Sequence, residues 1–163
     1  MKPACAELVV EGLKQAGVEL TAVLPDSWLY EVYRLLTQDD DFRVVPVTNE
    51  GEGVAICAGA WLGGRKAVMI MENSGLRVAS EALGRLQGIP VMLFMSYRGD
   101  LGDGNWWAVS MGKTTKPILE ALSIPYAVVD KEEDIVKIIE RAYKTLSASR
   151  SHVAILFTGD TVL

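Results

Sequence analysis

The sequence predicts an α/β fold: a three-layer α/β/α sandwich around a mainly parallel sheet of about six strands. Two observations lead there. Short apolar runs alternate with helical patterns along the chain, and repeated β–α alternation folds as helices over a sheet with right-handed crossovers. The runs are also nearly continuous in hydrophobicity, as strands covered on both faces require. In chain order, a helical pattern over Ala4–Ala16 leads into the first strand, Leu20–Leu24 ("LTAVL"). Ser27–Gln38 is helical, and the β-branched run "RVVPV" makes Arg43–Val47 a strand. Gly51–Leu62 is a helix of small apolar residues before the strand Lys66–Met71; Ser74–Leu86 is the helix before the strand Pro90–Ser96. Thr115–Leu122 is the next helix, followed by the strand Pro125–Val129. The last helix, Glu132–Leu146, carries "IIERAYKTLSAS", amphipathic and ending in small polar residues as a surface helix should. His152–Phe157 is the final strand. No repeat, linker or low-complexity segment interrupts the pattern, and one domain over residues 1–163 is expected.

Half of the residues are apolar and 23% are charged, the balance of a soluble globular chain. The net charge of −5 argues against nucleic acid as a main partner, because phosphate contacts need clustered Lys and Arg. Cys5 and Cys57 form no disulfide framework and have no zinc-ligand spacing around them, so both are expected reduced, in a cytoplasm. Lys2 is followed by Glu7 and Glu11 rather than by an apolar stretch, and no run approaches a membrane span. Neither a signal peptide nor a membrane partner is expected.

In open parallel sheets, ligands bind beyond the carboxyl ends of the strands. Four segments fall there: "PDS" (Pro25–Ser27), "TNEGEG" (Thr48–Gly53), "ENSGL" (Glu72–Leu76) and "YRGDLGDGNWW" (Tyr97–Trp107). Three of them open a helix, whose free N–H groups and dipole favour anions. Within "TNEGEG", Asn49 is a good N-cap and Glu52 stands three residues on, the reciprocal capping arrangement with Asn in the Ser/Thr role. Glu52 then has a structural part. Glu50 is not needed for the cap: it is either a solvated first-turn acid or a functional one. The residues after it keep Ala, Gly and Cys where helices usually carry larger groups, which suggests a buried helix, one able to lie at a subunit interface. A carboxyl at the mouth of a buried helix loses water and holds its proton more readily.

Glu50, the small residues after it and Gly59 resemble the pyrimidine-binding (PYR) domain of thiamine-diphosphate enzymes, which carries a Glu, an Ala-rich helix and a Gly at this spacing. The likeness extends to "LPDSWL", "TNEGEGVAICAGAWLGG", "ENSGL", "IPVMLFMSYRG", "MGKTT" and "LEALSIPY", through nearly the whole chain. Together these resemble the α subunits of sulfopyruvate decarboxylases and the N-terminal part of phosphonopyruvate decarboxylases. The resemblance implies that Glu50, not Glu52, hydrogen-bonds N1′ of the cofactor's aminopyrimidine and so promotes removal of the thiazolium C2 proton. It implies a catalytic part in proton transfers for Asp26, the alternative for Asp26 and Ser27 being a helix N-cap. Ser27 caps, touches substrate, or both. Asn73, Ser74 and Gly75 correspond to the strand-to-helix turn that the family aims at cofactor and substrate; an ordinary capped turn is the alternative.

A sulfonate or phosphonate substrate needs cations or N–H donors for its second anion. Arg98, directly after the fourth strand, is a better candidate than Lys113, although a lone Arg is more often a solvated surface residue. "GDGN" (Gly102–Asn105) imitates the metal motif of the diphosphate-binding (PP) half of thiamine enzymes. No Asn follows Asn105, however, so it reads as turn chemistry and no metal site is expected here. Trp106 and Trp107 are a lid, a partner contact or a substrate wall; the family often has His or Gln in this loop. His152, the only His, lies on the opposite edge and is expected to be structural or on the surface. The resemblance thus implies a chain that binds the pyrimidine end of thiamine diphosphate, with Mg²⁺ and the diphosphate on a separate PP-domain β subunit. An oligomer formed through the helix after Glu50 is expected. The reaction implied is decarboxylation of a 2-oxo acid, 3-sulfopyruvate foremost and phosphonopyruvate next. A non-catalytic PYR-like binding module is the alternative of another class.

Overall fold

In the computed structural model, which describes residues 1–163, helix and strand alternate from end to end. Helix α1 (Pro3–Ala16) precedes β1 (Leu20–Val23); α2 (Tyr30–Thr37) precedes β2 (Arg43–Pro46); α3 (Glu50–Leu62) precedes β3 (Ala67–Glu72). Then come α4 (Gly75–Arg85), β4 (Met92–Ser96), α5 (Val109–Ala121), β5 (Tyr126–Val129), α6 (Ile135–Ser149), β6 (Val153–Phe157) and a short α7 (Gly159–Val162). Single 3₁₀ turns at Trp106–Ala108 and Glu132–Asp134 lead into α5 and α6.

The six strands form one all-parallel sheet in the order β2-β1-β3-β4-β6-β5. The central strands β3, β4 and β6 are buried almost throughout, which explains their unbroken apolar runs. Alternate strand residues feed two cores. On one face Ile70, Phe94, Ile155 and Phe157 pack with α1, α2 and α6. On the other, Met69, Met71, Leu93, Met95 and Leu156 pack with α3, α4 and α5. This is the three-layer α/β/α sandwich that the alternation predicts. Phe94 and Phe157, both fully buried, meet edge to face with centroids 5.5 Å apart. No helix is long and apolar enough to cross a membrane.

All six strands lie within two residues of their predicted limits; three helices do not start where expected, and of these α6 begins at Ile135 because Glu132–Asp134 forms a 3₁₀ turn. Helix α2 begins at Tyr30 rather than Ser27. The preceding residues form a turn in which the Asp26 carboxylate accepts the Leu29 N–H at 3.3 Å. Helix α5 begins at Val109 rather than Thr115. Its "MGK" segment looks like loop because of Gly112, but that glycine is inside the helix for a steric reason. A Cβ on Gly112 would stand 2.0 Å from the Gly99 carbonyl oxygen, and one on Gly99 would stand 2.0 Å from the Ala108 carbonyl oxygen. Gly99 also has φ +76°, which favours glycine. The two backbones touch, and only glycines allow it.

Helix α3, expected to be buried, is buried on one face only in the single chain. Gly53, Val54, Cys57 and Ala58 pack inward, while Ala55, Gly59 and Leu62 face out, Leu62 being 71% exposed. The cap of α3 also differs in detail from the reciprocal box. Asn49 Oδ1 accepts the Gly51 N–H at 2.8 Å, and Glu52 reaches back past Asn49 to the Thr48 N–H at 3.0 Å and its hydroxyl at 3.2 Å.

Candidate active site

The chain runs from β1 out to β2 on one side and then crosses to β3 on the other. That reversal leaves a crevice between the carboxyl ends of β1 and β3, where open α/β sheets bind ligands. An open cleft of about 480 Å³ lies there, lined by Leu24, Pro25, Asp26, Ser27, Trp28, Glu50, Glu72, Ser74, Arg98 and Trp107. The structure therefore brings together six of the residues singled out from sequence: Asp26, Ser27, Glu50, Ser74, Arg98 and Trp107.

Glu50 is the first residue of α3 and is half-buried. Asn49 and Glu52 do the capping, so the Glu50 carboxylate has no hydrogen-bond partner within the chain and stays available in the cleft. It lies over Gly75, at the start of α4. A Cβ there would come within 2.4 Å of Glu50 Cγ and 2.6 Å of Oε1. Gly75 thus shapes the seat of the carboxylate and does not itself line the cleft. Asp26 is not the N-cap of α2, which is Leu29 with no side-chain cap bond; it holds the preceding turn by accepting the Leu29 N–H, and it lines the cleft. Ser27 makes no cap bond and is exposed on the cleft wall.

Asn73 points away from the cleft. It is 2% exposed, and its amide donates at 2.9 Å to both the Arg98 carbonyl and the Thr115 hydroxyl. Its Oδ1 accepts the Arg98 N–H at 3.2 Å. Asn73 therefore fixes the end of β4, and with it Arg98, against α5. Ser74 does not cap α4; its hydroxyl donates to Glu72 Oε1 at 2.6 Å.

Arg98 is not the solvated residue that a lone arginine suggests. It is 4% exposed, with Trp28 and Trp107 rings each centred 4.5 Å from its guanidinium carbon. Its Nε donates to Asp103 Oδ2 at 3.0 Å, and Nη1 is 3.7 Å from Glu72 Oε2. Asp103, the middle residue of "GDG", organises a turn: it also accepts the N–H groups of Gly99 and Asn105 and the Asn105 amide. Partial burial opposes ionisation, but these bonds and Arg98 hold its carboxyl far below the usual carboxylate range. Trp107 belongs to the cleft wall, while Trp106 and Leu101 stand almost wholly in solvent. Lys113 is exposed on α5 and is not part of the cleft.

Two cleft residues, Glu72 and Trp28, were given no role of their own from sequence, although Glu72 opens the ligand-edge segment Glu72–Leu76. Glu72 had a visible signal, a charge ending an apolar strand at the ligand edge. Trp28 had none, since its contact with Arg98 joins two distant loops. His152 is far from the cleft, at the start of β6, and is 5% exposed. Its Nδ1 accepts the Val91 N–H at 3.1 Å and its Nε2 bonds the Leu83 carbonyl at 3.0 Å, which makes it structural. No group of three or more His, Cys, Asp or Glu side chains is placed to hold a metal ion.

Proteins named as decarboxylases are similar in sequence to this chain. The sulfopyruvate decarboxylase subunit alpha of Methanococcus maripaludis is 36% identical over 154 residues, covering 93% of this chain and 92% of that protein. Its counterpart in Methanocaldococcus jannaschii is 30% identical, covering 91% of this chain and 90% of that one. The phosphonopyruvate decarboxylase of Streptomyces viridochromogenes is 30% identical over 88% of this chain, which amounts to 36% of that longer protein. No protein-family model matches the chain.

Proposed function

The chain belongs to the family of sulfopyruvate decarboxylase α subunits and phosphonopyruvate decarboxylases, and on that premise we propose that it is the PYR subunit of a thiamine-diphosphate-dependent 2-oxo acid decarboxylase. Its substrate on this reading is 3-sulfopyruvate, released as sulfoacetaldehyde and CO₂. The observation that carries the proposal is Glu50: a carboxylate without an internal partner, seated over a glycine at the switch-point cleft of the sheet.

The residues present fit the pyrimidine end of the cofactor. Thiamine diphosphate, when bound, supplies the electron sink that takes up the pair left behind as CO₂ departs. Glu50 would hold a proton at N1′ of the aminopyrimidine, a task open to a group free to trade a proton and closed to an amide. Asp26, beside Glu50 in the same cleft, would carry protons to and from the reacting carbons. Ser27 and the guanidinium of Arg98 would orient the substrate's acidic groups.

The donor set suits only that half of the cofactor. The cleft carries three carboxylates, Asp26, Glu50 and Glu72, and one cation, Arg98, which is already paired. A diphosphate needs free N–H donors and its Mg²⁺ a group of oxygen ligands, and no such group of side chains is assembled here, so a separate PP-domain β subunit would hold both. The "subunit alpha" in the relatives' names agrees with that division. So does the sulfopyruvate decarboxylase of Methanosarcina acetivorans, of which this chain matches only 39%. The outward face of α3, with Ala55, Gly59 and Leu62 uncovered, is the surface on which that partner would dock.

Co-expression with a PP-type chain, then CO₂ release from 3-sulfopyruvate with Mg²⁺ and thiamine diphosphate, tests the reading. Turnover is expected from the pair and not from this chain alone. Intact turnover in Glu50→Gln would disprove the proposed role of Glu50, and tight cofactor binding with turnover by the isolated chain would disprove the split site.

A further inference from the structure

Sulfonate and phosphonate share a tetrahedral shape, and the choice between them is a matter of charge. A sulfonate is a monoanion at every physiological pH. A phosphonate has its second ionisation near neutral pH, somewhat above that of a phosphate monoester, so it gains a second negative charge on the alkaline side of neutrality and loses it on mild acidification. What surrounds Arg98 bears on that difference.

The guanidinium is flanked by Trp28 and Trp107, and its Nε is committed to Asp103. What remains for a ligand is the Nη end. Glu72 Oε2 is too far from Nη1, at 3.7 Å, to accept a hydrogen bond from it, and neither Nη atom is sealed from solvent without a partner. This end belongs to the cleft lining, so a buried, oriented cation offers two adjacent N–H groups to a ligand. Glu72 cannot easily turn away, because Ser74 holds its other oxygen at 2.6 Å. The charged groups around the position are Glu72 at the end of β3, Asp103 in the loop after β4, Asp26 after β1 and Glu50 at the start of α3. Arg98 is the only cation among them. An anion bound at Nη therefore enters a neighbourhood that is already negative, and each further charge on it is opposed.

We propose that Arg98 with Glu72 is the specificity device of this site: the Nη end binds a singly charged sulfonate, and Glu72 excludes a doubly charged phosphonate of the same shape. Trp28 and Trp107 keep the guanidinium fixed so that it cannot turn to meet the larger charge. This rests on the decarboxylase reading above for the choice of substrates, though not for the binding chemistry.

The test uses the chain assembled with its partner subunit, Mg²⁺ and thiamine diphosphate. The ratio of kcat/KM for 3-sulfopyruvate to that for phosphonopyruvate is measured at pH 7.5 and pH 6 in the wild type and in Glu72→Gln. Like-charge juxtaposition at close range makes the expected wild-type preference at pH 7.5 about tenfold or more. The ratio should shrink at pH 6, where the phosphonate gains its proton, and in Glu72→Gln at pH 7.5. The wild-type pH comparison does not depend on the variant folding. In parallel, tryptophan fluorescence of the same assembly is titrated with the unreactive isosteres 3-sulfopropionate and 3-phosphonopropionate. Turnover of both substrates with a ratio that neither pH nor Glu72→Gln moves by more than twofold overturns the proposal. If neither substrate turns over, the decarboxylase reading fails; the specificity proposal then stands if the isosteres still separate in this way and falls if they bind alike.

Discussion

Substituting Gly75→Ala should separate the seat of Glu50 from the stability of the fold. Gly75 is the first residue of α4 and is buried, and its φ is not in the left-handed region. Alanine is therefore compatible with the backbone, and helix propensity makes it neutral to stabilising, by no more than about 1 kcal/mol. The new methyl group, however, lands 2.4 Å from Glu50 Cγ, 2.6 Å from Oε1 and 2.8 Å from Cδ. Ordinary contact begins at 3.4 Å, so the Glu50 side chain must retreat by about 1 Å at its nearest atom. It can do so cheaply, being flexible and bound to nothing within the chain. A catalytic group misplaced by about 1 Å costs on the order of 10²-fold in rate. The expected result is an unchanged or slightly raised melting temperature with a kcat at least about 10²-fold lower, read by CO₂ release from the assembled enzyme. A folded Gly75→Ala enzyme of wild-type kcat would refute the argument that the position of Glu50 matters.

Other expectations follow from the same geometry. Glu50→Gln should bring kcat down by at least about 10²-fold while thermal unfolding stays put, since no internal bond is lost. Asp103→Ala removes the acceptor for Gly99, Asn105 and Arg98 Nε; proteolytic cleavage near exposed Leu101 should speed up several-fold, with a higher KM. Burial holds the His152 pKa below its ordinary value, the Leu83 bond opposing this only in part. The unfolded chain then takes up a proton near pH 6.5 that the folded chain refuses, so stability falls as pH drops below about 6.5 and is recovered above it. Unfolding temperatures from pH 7.5 to 5 would show this, and His152→Gln, which keeps a donor and an acceptor, should flatten the slope. Phe94→Ala opens a cavity in the core against Phe157 and should cost about 3–5 kcal/mol in denaturant unfolding.

The strands were legible because burial on both faces leaves an unbroken apolar run, and β3, β4 and β6 have little else. The position of the cleft was legible for the same reason, since strand order and strand ends place it. The roles of single residues were less so. Asn73 and Arg98 stand on the right edge, yet one faces the interior and the other is enclosed by two indoles and a carboxylate. Such environments depend on contacts between distant loops, which local spacing does not encode. The early start of α5 was hidden similarly: a glycine that reads as a break is required by a backbone lying against it.

That contact between Gly99 and Gly112 has a consequence for how this protein can change. The segment between them leaves and re-enters the structure at almost one point, so closing it costs the sheet nothing, and its length enters the free energy only logarithmically. Residues 100–107 can be lengthened or shortened while β4 and α5 keep their places, provided that Asp103 still meets Gly99 and Arg98. The Trp107 wall could thus be traded for another in a single step, which makes this excursion the natural graft site for moving acid-group preference from one decarboxylase to another.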